Sequence, residues 1–142
     1  MMQLILSDKL MTQICHHVAA DYPREACGLL IGLRDGGDEG QVTGVVPSPN
    51  MAADPHVSFE IDPALILKYH KQLRDKDDII LGHYHSHPEG LARPSDRDRQ
   101  QNYDPAMVWV IVQVSKGHIG GVKAFLAPET QADFDVVPIV LF

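Results

Sequence analysis

The chain has 142 residues, a formal net charge of -7 and 44% hydrophobic residues, the size and balance of one ordinary domain able to bury a core without disulfides or a structural metal. Its longest apolar runs, such as Met107 to Val112, are far too short to span a bilayer, and it lacks the clustered Lys and Arg that bulk nucleic-acid binding requires. The N-terminus meets Ser7-Asp8-Lys9 at once without the pattern of a secretory signal, and the two cysteines, Cys15 and Cys27, form no Cys-x-x-Cys pair, so a reduced, cytoplasmic setting is expected, with proteins or small molecules as partners.

Residues 2 to 6 read as a short strand. Ser7 or Asp8 then caps a helix whose apolar positions Leu10, Met11, Ile14, Cys15 and Val18 follow helical spacing to about Ala20, and Tyr22-Pro23 ends it. The run from Ala26 to Gly32 reads as a buried strand, Asp35-Gly36-Gly37-Asp38 as a turn, and Gln41 to Val46 as the second arm of a hairpin. Pro47 to Pro55 is a loop leading into a short extended piece from Val57 to Ile61. Asp62-Pro63 starts a second helix, carried by Leu65, Ile66, Tyr69, His70 and Leu73 to about Arg74. Asp75 to Asp78 is a polar turn, Ile79 to His85 a core strand, Pro88 to Pro94 a loop, and Ser95 to Gln101 a short polar helix capped by Ser95. Met107 to Val114, Ile119 to Phe125 and Phe134 to Val140 are three further strands. This order predicts an α/β fold in which a mixed, largely antiparallel sheet is covered by helices.

The chemistry concentrates in His85-Ser86-His87-Pro88, Ser95 and Asp98. Residues two apart on a strand share a face, so His83, His85 and His87 point one way while Tyr84 and Ser86 point the other. His-x-His alone is weak in a chain with eight histidines, but Asp98 lies one helical turn beyond Ser95, where its carboxylate can fold back over the imidazoles. Two imidazoles, one carboxylate and an open fourth position form a catalytic zinc ligand set. A hydrolase also needs a general base. Glu25 opens an otherwise apolar strand, where a carboxylate is costly to bury unless it has a partner or a task. Glu89, beside Gly90 in a loop, is the rival. Ser95 serves the helix as N-cap. His83 reads as a satisfied core histidine and Cys27 as packing.

Taken together, these segments resemble the JAMM, or MPN-plus, metalloprotease family, whose pattern is a Glu upstream of His-Ser/Thr-His-Pro, six residues, Ser, two residues and Asp. Here His85-Ser86-His87-Pro88 runs through Glu89 to Pro94 into Ser95 and Asp98 without a gap. Pro23 to Gly32 is similar to the family's segment around its glutamate, and the likeness extends to about residue 127. The resemblance implies a single-domain MPN (cytidine-deaminase-like) fold, one Zn2+ per chain on His85, His87 and Asp98, Glu25 as general acid/base and Ser95 supporting the oxyanion. It further implies hydrolysis of a peptide or isopeptide bond after the Gly-Gly tail of a ubiquitin-like or sulfur-carrier protein. The loops are too short for selection among polyubiquitin linkages, which resembles the compact bacterial members, and the piece from Val57 to Ile61 is the expected free edge for an extended tail. A catalytically silent scaffold of the same fold and a general small-peptide metallopeptidase are the alternatives. A zinc nucleoside deaminase lacks its Pro-Cys-x-x-Cys here, and a cupin-like oxygenase is at odds with the helices.

Overall fold

The computed structural model describes residues 2–36, 38–100, 106–128 and 133–142. β1 (Gln3–Leu6) is followed by α1 (Asp8–Asp21), whose first turn is closed by the Ser7 hydroxyl accepting from the Leu10 N–H at 3.2 Å. β2 (Cys27–Asp35) and β3 (Glu39–Ser48) form the expected hairpin; its turn includes Gly37, which lies outside the described residues. α2 (Pro63–Gln72) starts as predicted, with the Asp62 carboxylate accepting from Ala64 N–H and Pro63 in the first turn. β4 (Ile79–Pro88), α3 (Asp96–Gln100), β5 (Val108–Ser115), β6 (His118–Leu126), β7 (Asp135–Val137) and β8 (Ile139–Leu141) complete the order. Gln101, expected to end α3, lies outside the described residues.

The strands make one eight-stranded sheet in the order β7-β6-β5-β4-β2-β3-β1-β8. Four neighbouring pairs are antiparallel, and β1–β3, β1–β8 and β4–β5 are parallel. Both faces are covered, which is why β2 and β5 read as continuous apolar runs. Leu30, Tyr84, Val110 and Val112 pack with Ile14 and Val18 of α1 on one face. On the other, Cys27, Leu29, Ile31 and Phe59 pack with Leu65, Ile66 and Tyr69 of α2, while Trp109, Ile111 and Phe125 form an adjoining cluster. Two glycines permit close approaches: a Cβ on Gly82 would lie 1.8 Å from the Val108 carbonyl oxygen, and one on Gly28 would lie 2.5 Å from the Tyr84 ring.

Three expectations are corrected. β3 runs to Ser48, two residues into the expected loop; Pro47 is tolerated because β1 reaches only Glu39 to Gln41, so nothing on that edge asks for its missing N–H. Phe134 to Val140 is not one strand. Pro138 divides it, so that β7 pairs with β6 at one end of the sheet and β8 with β1 at the other. Since one residue separates strands at opposite ends of the order, the sheet must curl until its ends meet, and the Pro138 carbonyl accepts from Leu4 N–H at 2.8 Å. Finally, Val57 to Ile61 forms no strand. Residues 55–57 turn, and a single bridge joins Asn50 to Ile61.

Candidate metal centre

The site is assembled where β4 passes the start of β2. Cys27 lies opposite His85 in the register, so the residues just before β2 border the histidines. Ser86, fully buried between His85 and His87 in sequence and turned to the opposite face, fixes that neighbourhood: its hydroxyl accepts from Ala26 N–H at 2.8 Å, and its own N–H donates to the Ala26 carbonyl at 3.0 Å. The residue beside Glu25 is thus clamped to the residue between the two imidazoles.

α3 delivers the third group through a capping box. The Ser95 hydroxyl accepts from Asp98 N–H at 3.1 Å, and the Asp98 carboxylate accepts from Ser95 N–H at 2.9 Å. That carboxylate, 3% exposed, also lies 3.2 Å from His85 Nε2 and 3.0 Å from His87 Nε2, and the two nitrogens are 3.1 Å apart. Ligands at ~2.0–2.2 Å from a tetrahedral ion stand about 3.3 Å from one another, so the three groups fit a shared cation. Glu25 offers an oxygen that lies, with one nitrogen of each of the two histidines, in a group spanning no more than 4.8 Å. Glu25, His85, His87 and Asp98 are therefore the described residues able to hold a metal ion here, Asp98 more tightly placed than Glu25.

The surroundings fix protonation as well as position. His87 Nδ1 lies 2.7 Å from the Leu91 carbonyl, which can only accept, so Nδ1 carries a proton and Nε2 is the nitrogen left to face Asp98 or a cation. His85 is fully buried and stacks on Phe59, with centroids 4.1 Å apart and planes at 16°. Burial lowers its pKa, against the pull of Asp98. For His87 burial acts downward too, but the bonds to Asp98 and Leu91 outweigh it and the net shift is upward. Burial would raise Asp98, yet the charge and hydrogen bonds of the histidines and the Ser95 N–H hold it well below the usual carboxylate range. Glu25, 7% exposed, is pushed up to about 7, first by burial and with a smaller rise from Asp98, while His87 and Arg97 pull the other way.

A cleft of about 620 Å³ opens over these groups, lined by Glu25, His87 and Ser95 and walled by His56, Val57, Leu91, Arg93 and Pro94 among others. The structure thus brings together all five residues singled out in the sequence. Glu89 is turned elsewhere: its exposed carboxylate accepts from Tyr22 and Ser115 hydroxyls at 2.8 and 2.7 Å and from Lys116 N–H at 3.0 Å. Cys27 is packing, as expected; burial pushes its thiol up to about 12. His83 is not the satisfied histidine expected. It packs on Trp109 with centroids 4.5 Å apart, its Nδ1 is buried without a partner among the described residues, and burial lowers its pKa to about 3.

Several contributors escaped the sequence reading. Asn50, His56 and Leu91 lie on loops, where no periodicity marks which way a side chain turns, and Phe59, expected only as part of a free edge, stacks on His85 instead. Asn50, set between prolines in an irregular stretch, carried the one available signal: an amide suited to bonding backbone in place of a strand.

Comparison with known proteins agrees with this geometry. The model of the prokaryotic homologs of the JAB domain matches residues 7–127. The desampylase of Haloferax volcanii is 35% identical over 104 residues, covering 73% of each chain. A probable TtuB-protein conjugate cleaving protease of Thermus thermophilus is 36% identical over 115 residues, covering 81% of this chain and 70% of the relative. A protein of Desulfitobacterium hafniense solved in solution superposes with a TM-score of 0.85 at 33% identity, over 99% of this chain and 93% of the other. The chain belongs to the JAMM/MPN family, among the prokaryotic homologs of the JAB domain.

Proposed function

We propose that this protein is a zinc metallopeptidase with one ion per chain, held by His85, His87 and Asp98, which hydrolyses the peptide or isopeptide bond after the Gly-Gly tail of a ubiquitin-like or sulfur-carrier protein. The observation that carries this reading is the convergence of His85 Nε2, His87 Nε2 and the Asp98 carboxylate at 3.0–3.2 Å beside a buried Glu25. The named activity of the Thermus relative, cleavage of a protein conjugate, supports the substrate class. A bound zinc ion supplies Lewis acidity and a water of lowered pKa.

The chain's own residues do the rest. Glu25, whose burial favours the protonated form, takes a proton from the attacking water at its carboxylate oxygen. It then returns that proton to the leaving nitrogen as the carbon–nitrogen bond breaks, so the products are a carboxylate-ended tail and a free amine. Ser95 spends one lone pair on the Asp98 N–H and keeps its O–H to donate to the carbonyl oxygen as charge develops there. Leu91 and Phe59 hold the two imidazoles.

Metal analysis tests the assignment. Wild-type protein dialysed against zinc should carry one ion per chain, and Asp98→Ala should lose affinity by at least 10-fold, on the order seen when ligand shells are disturbed. Unchanged binding in Asp98→Ala would transfer the third ligand to Glu25.

A further inference from the structure

We infer that Asn50 is the positioning residue that holds Glu25 against the two histidines. The inference rests on the functional reading above, in which Glu25 moves the proton. Glu25 itself precedes β2, so no strand neighbour fixes its backbone. Instead its N–H donates to the Pro55 carbonyl at 2.7 Å and its carbonyl accepts from the Asn50 side-chain amide at 2.9 Å. The same amide donates to the Ser58 carbonyl at 2.9 Å, and the Asn50 side-chain oxygen accepts from Ala52 and Glu60 N–H groups at 3.0 and 3.1 Å.

Both N–H groups and both lone pairs of one half-buried side chain are thereby in use. They tie together two things the site needs. One is Glu25; the other is the segment that carries Val57 into the cleft wall and lays Phe59 on the His85 ring. Among the described residues Asn50 makes no hydrogen bond to either histidine or to Asp98, so its effect on proton transfer runs through Glu25. Only an amide presents two donors and an acceptor at this reach. An aspartate would turn an oxygen toward those two carbonyls and lose both donations.

Two variants, Asn50→Ala and Asn50→Asp, are compared with wild type and with Glu25→Gln by zinc content, thermal unfolding, backbone amide exchange and steady-state hydrolysis of a Gly-Gly-extended sulfur-carrier protein. The expected result is one zinc per chain and a cooperative transition in both variants. Amide exchange should accelerate at Glu25, Ala52 and Glu60 but not along β4 or β5. Hydrolysis should lose about 10²-fold in kcat, as when a reacting group is misplaced by about an ångström, with KM within about twofold. In the Glu25→Gln background either Asn50 change should leave kcat where Glu25→Gln alone puts it, because both act through one group. Wild-type kcat in both variants overturns the inference, as does loss of zinc or of the unfolding transition in both, which would assign Asn50 to the fold. If wild type proves inactive on every substrate, the functional reading fails instead, and protected Glu25 and Glu60 amides in the variants overturn the positioning claim separately.

Discussion

Asp98 and Glu25 face the same pair of imidazoles in different surroundings. Asp98 receives the Ser95 N–H and both rings, which favour its charged form; Glu25 is desolvated at the mouth of β2 and pushed toward neutrality. Separation of this kind suits one carboxylate to hold a cation and the other to carry a proton. Ser95 has a cap role and a proposed oxyanion role, and the two are separable. Ser95→Gly should cost a few tenths of a kcal/mol in stability, since glycine is an adequate N-cap, yet lower kcat by about 10²-fold through the lost O–H donor. Equal kcat in that variant would confine Ser95 to the cap.

His83 gives a second residue-level prediction. Burial holds its folded pKa near about 3, against an ordinary 6.5. Between those values the unfolded chain takes up a proton that the folded chain refuses, so this group's contribution is complete above 6.5 and is lost as pH falls below it, at up to about 1.4 kcal/mol per pH unit. His83→Phe, which keeps a ring beside Phe59 and Trp109 and removes the titrating nitrogens, should flatten the loss of thermal stability between pH 6.5 and 4. An unchanged slope would mean that His83 finds a proton acceptor in solution.

At the scale of elements, the close approach of β4 and β5 depends on Gly82. Gly82→Ala would force a methyl to 1.8 Å from the Val108 oxygen, whereas Gly44→Ala in β3 meets nothing within 4 Å. The first should lower stability by about 1–3 kcal/mol or more and weaken zinc binding, because it shifts the strand that carries His85; the second should leave zinc binding intact. Denaturant titration with and without zinc reads both effects. The site was legible where its residues sit on regular elements. His85 and His87 share a strand face and Ser95 and Asp98 form a capping box, so spacing alone determined their geometry. Val57, Phe59 and Ile61 alternate like a strand, yet here the Asn50 side chain, not a neighbouring strand, bonds the Ser58 carbonyl and Glu60 N–H, while Phe59 is used against His85. Pro138 was the visible sign that the last strand is broken. That its halves join opposite ends of the sheet depends on curvature, which no local pattern encodes.

Across the whole molecule, the sheet buries both faces and leaves the candidate metal centre on the α2 face where β2, β4 and α3 meet, while α1 fills the other. No helix among the described residues is long and apolar enough to cross a membrane. The cleft wall instead exposes Val57 and Leu91, with Met51 on the adjoining loop, three large apolar side chains near the groups that could hold a metal ion. Such a rim suits an extended, weakly polar tail entering the cleft. The most direct measurement of the central claim is the mass of a sulfur-carrier protein extended past Gly-Gly, incubated with zinc-loaded wild type, with the same protein after chelation, and with zinc-loaded Glu25→Gln. The account predicts loss of the extension, cut after the second glycine, with wild type alone. It predicts at least about a 10²-fold slower loss with Glu25→Gln despite full zinc content. Cleavage that survives chelation, or Glu25→Gln that cuts at the wild-type rate, would contradict it.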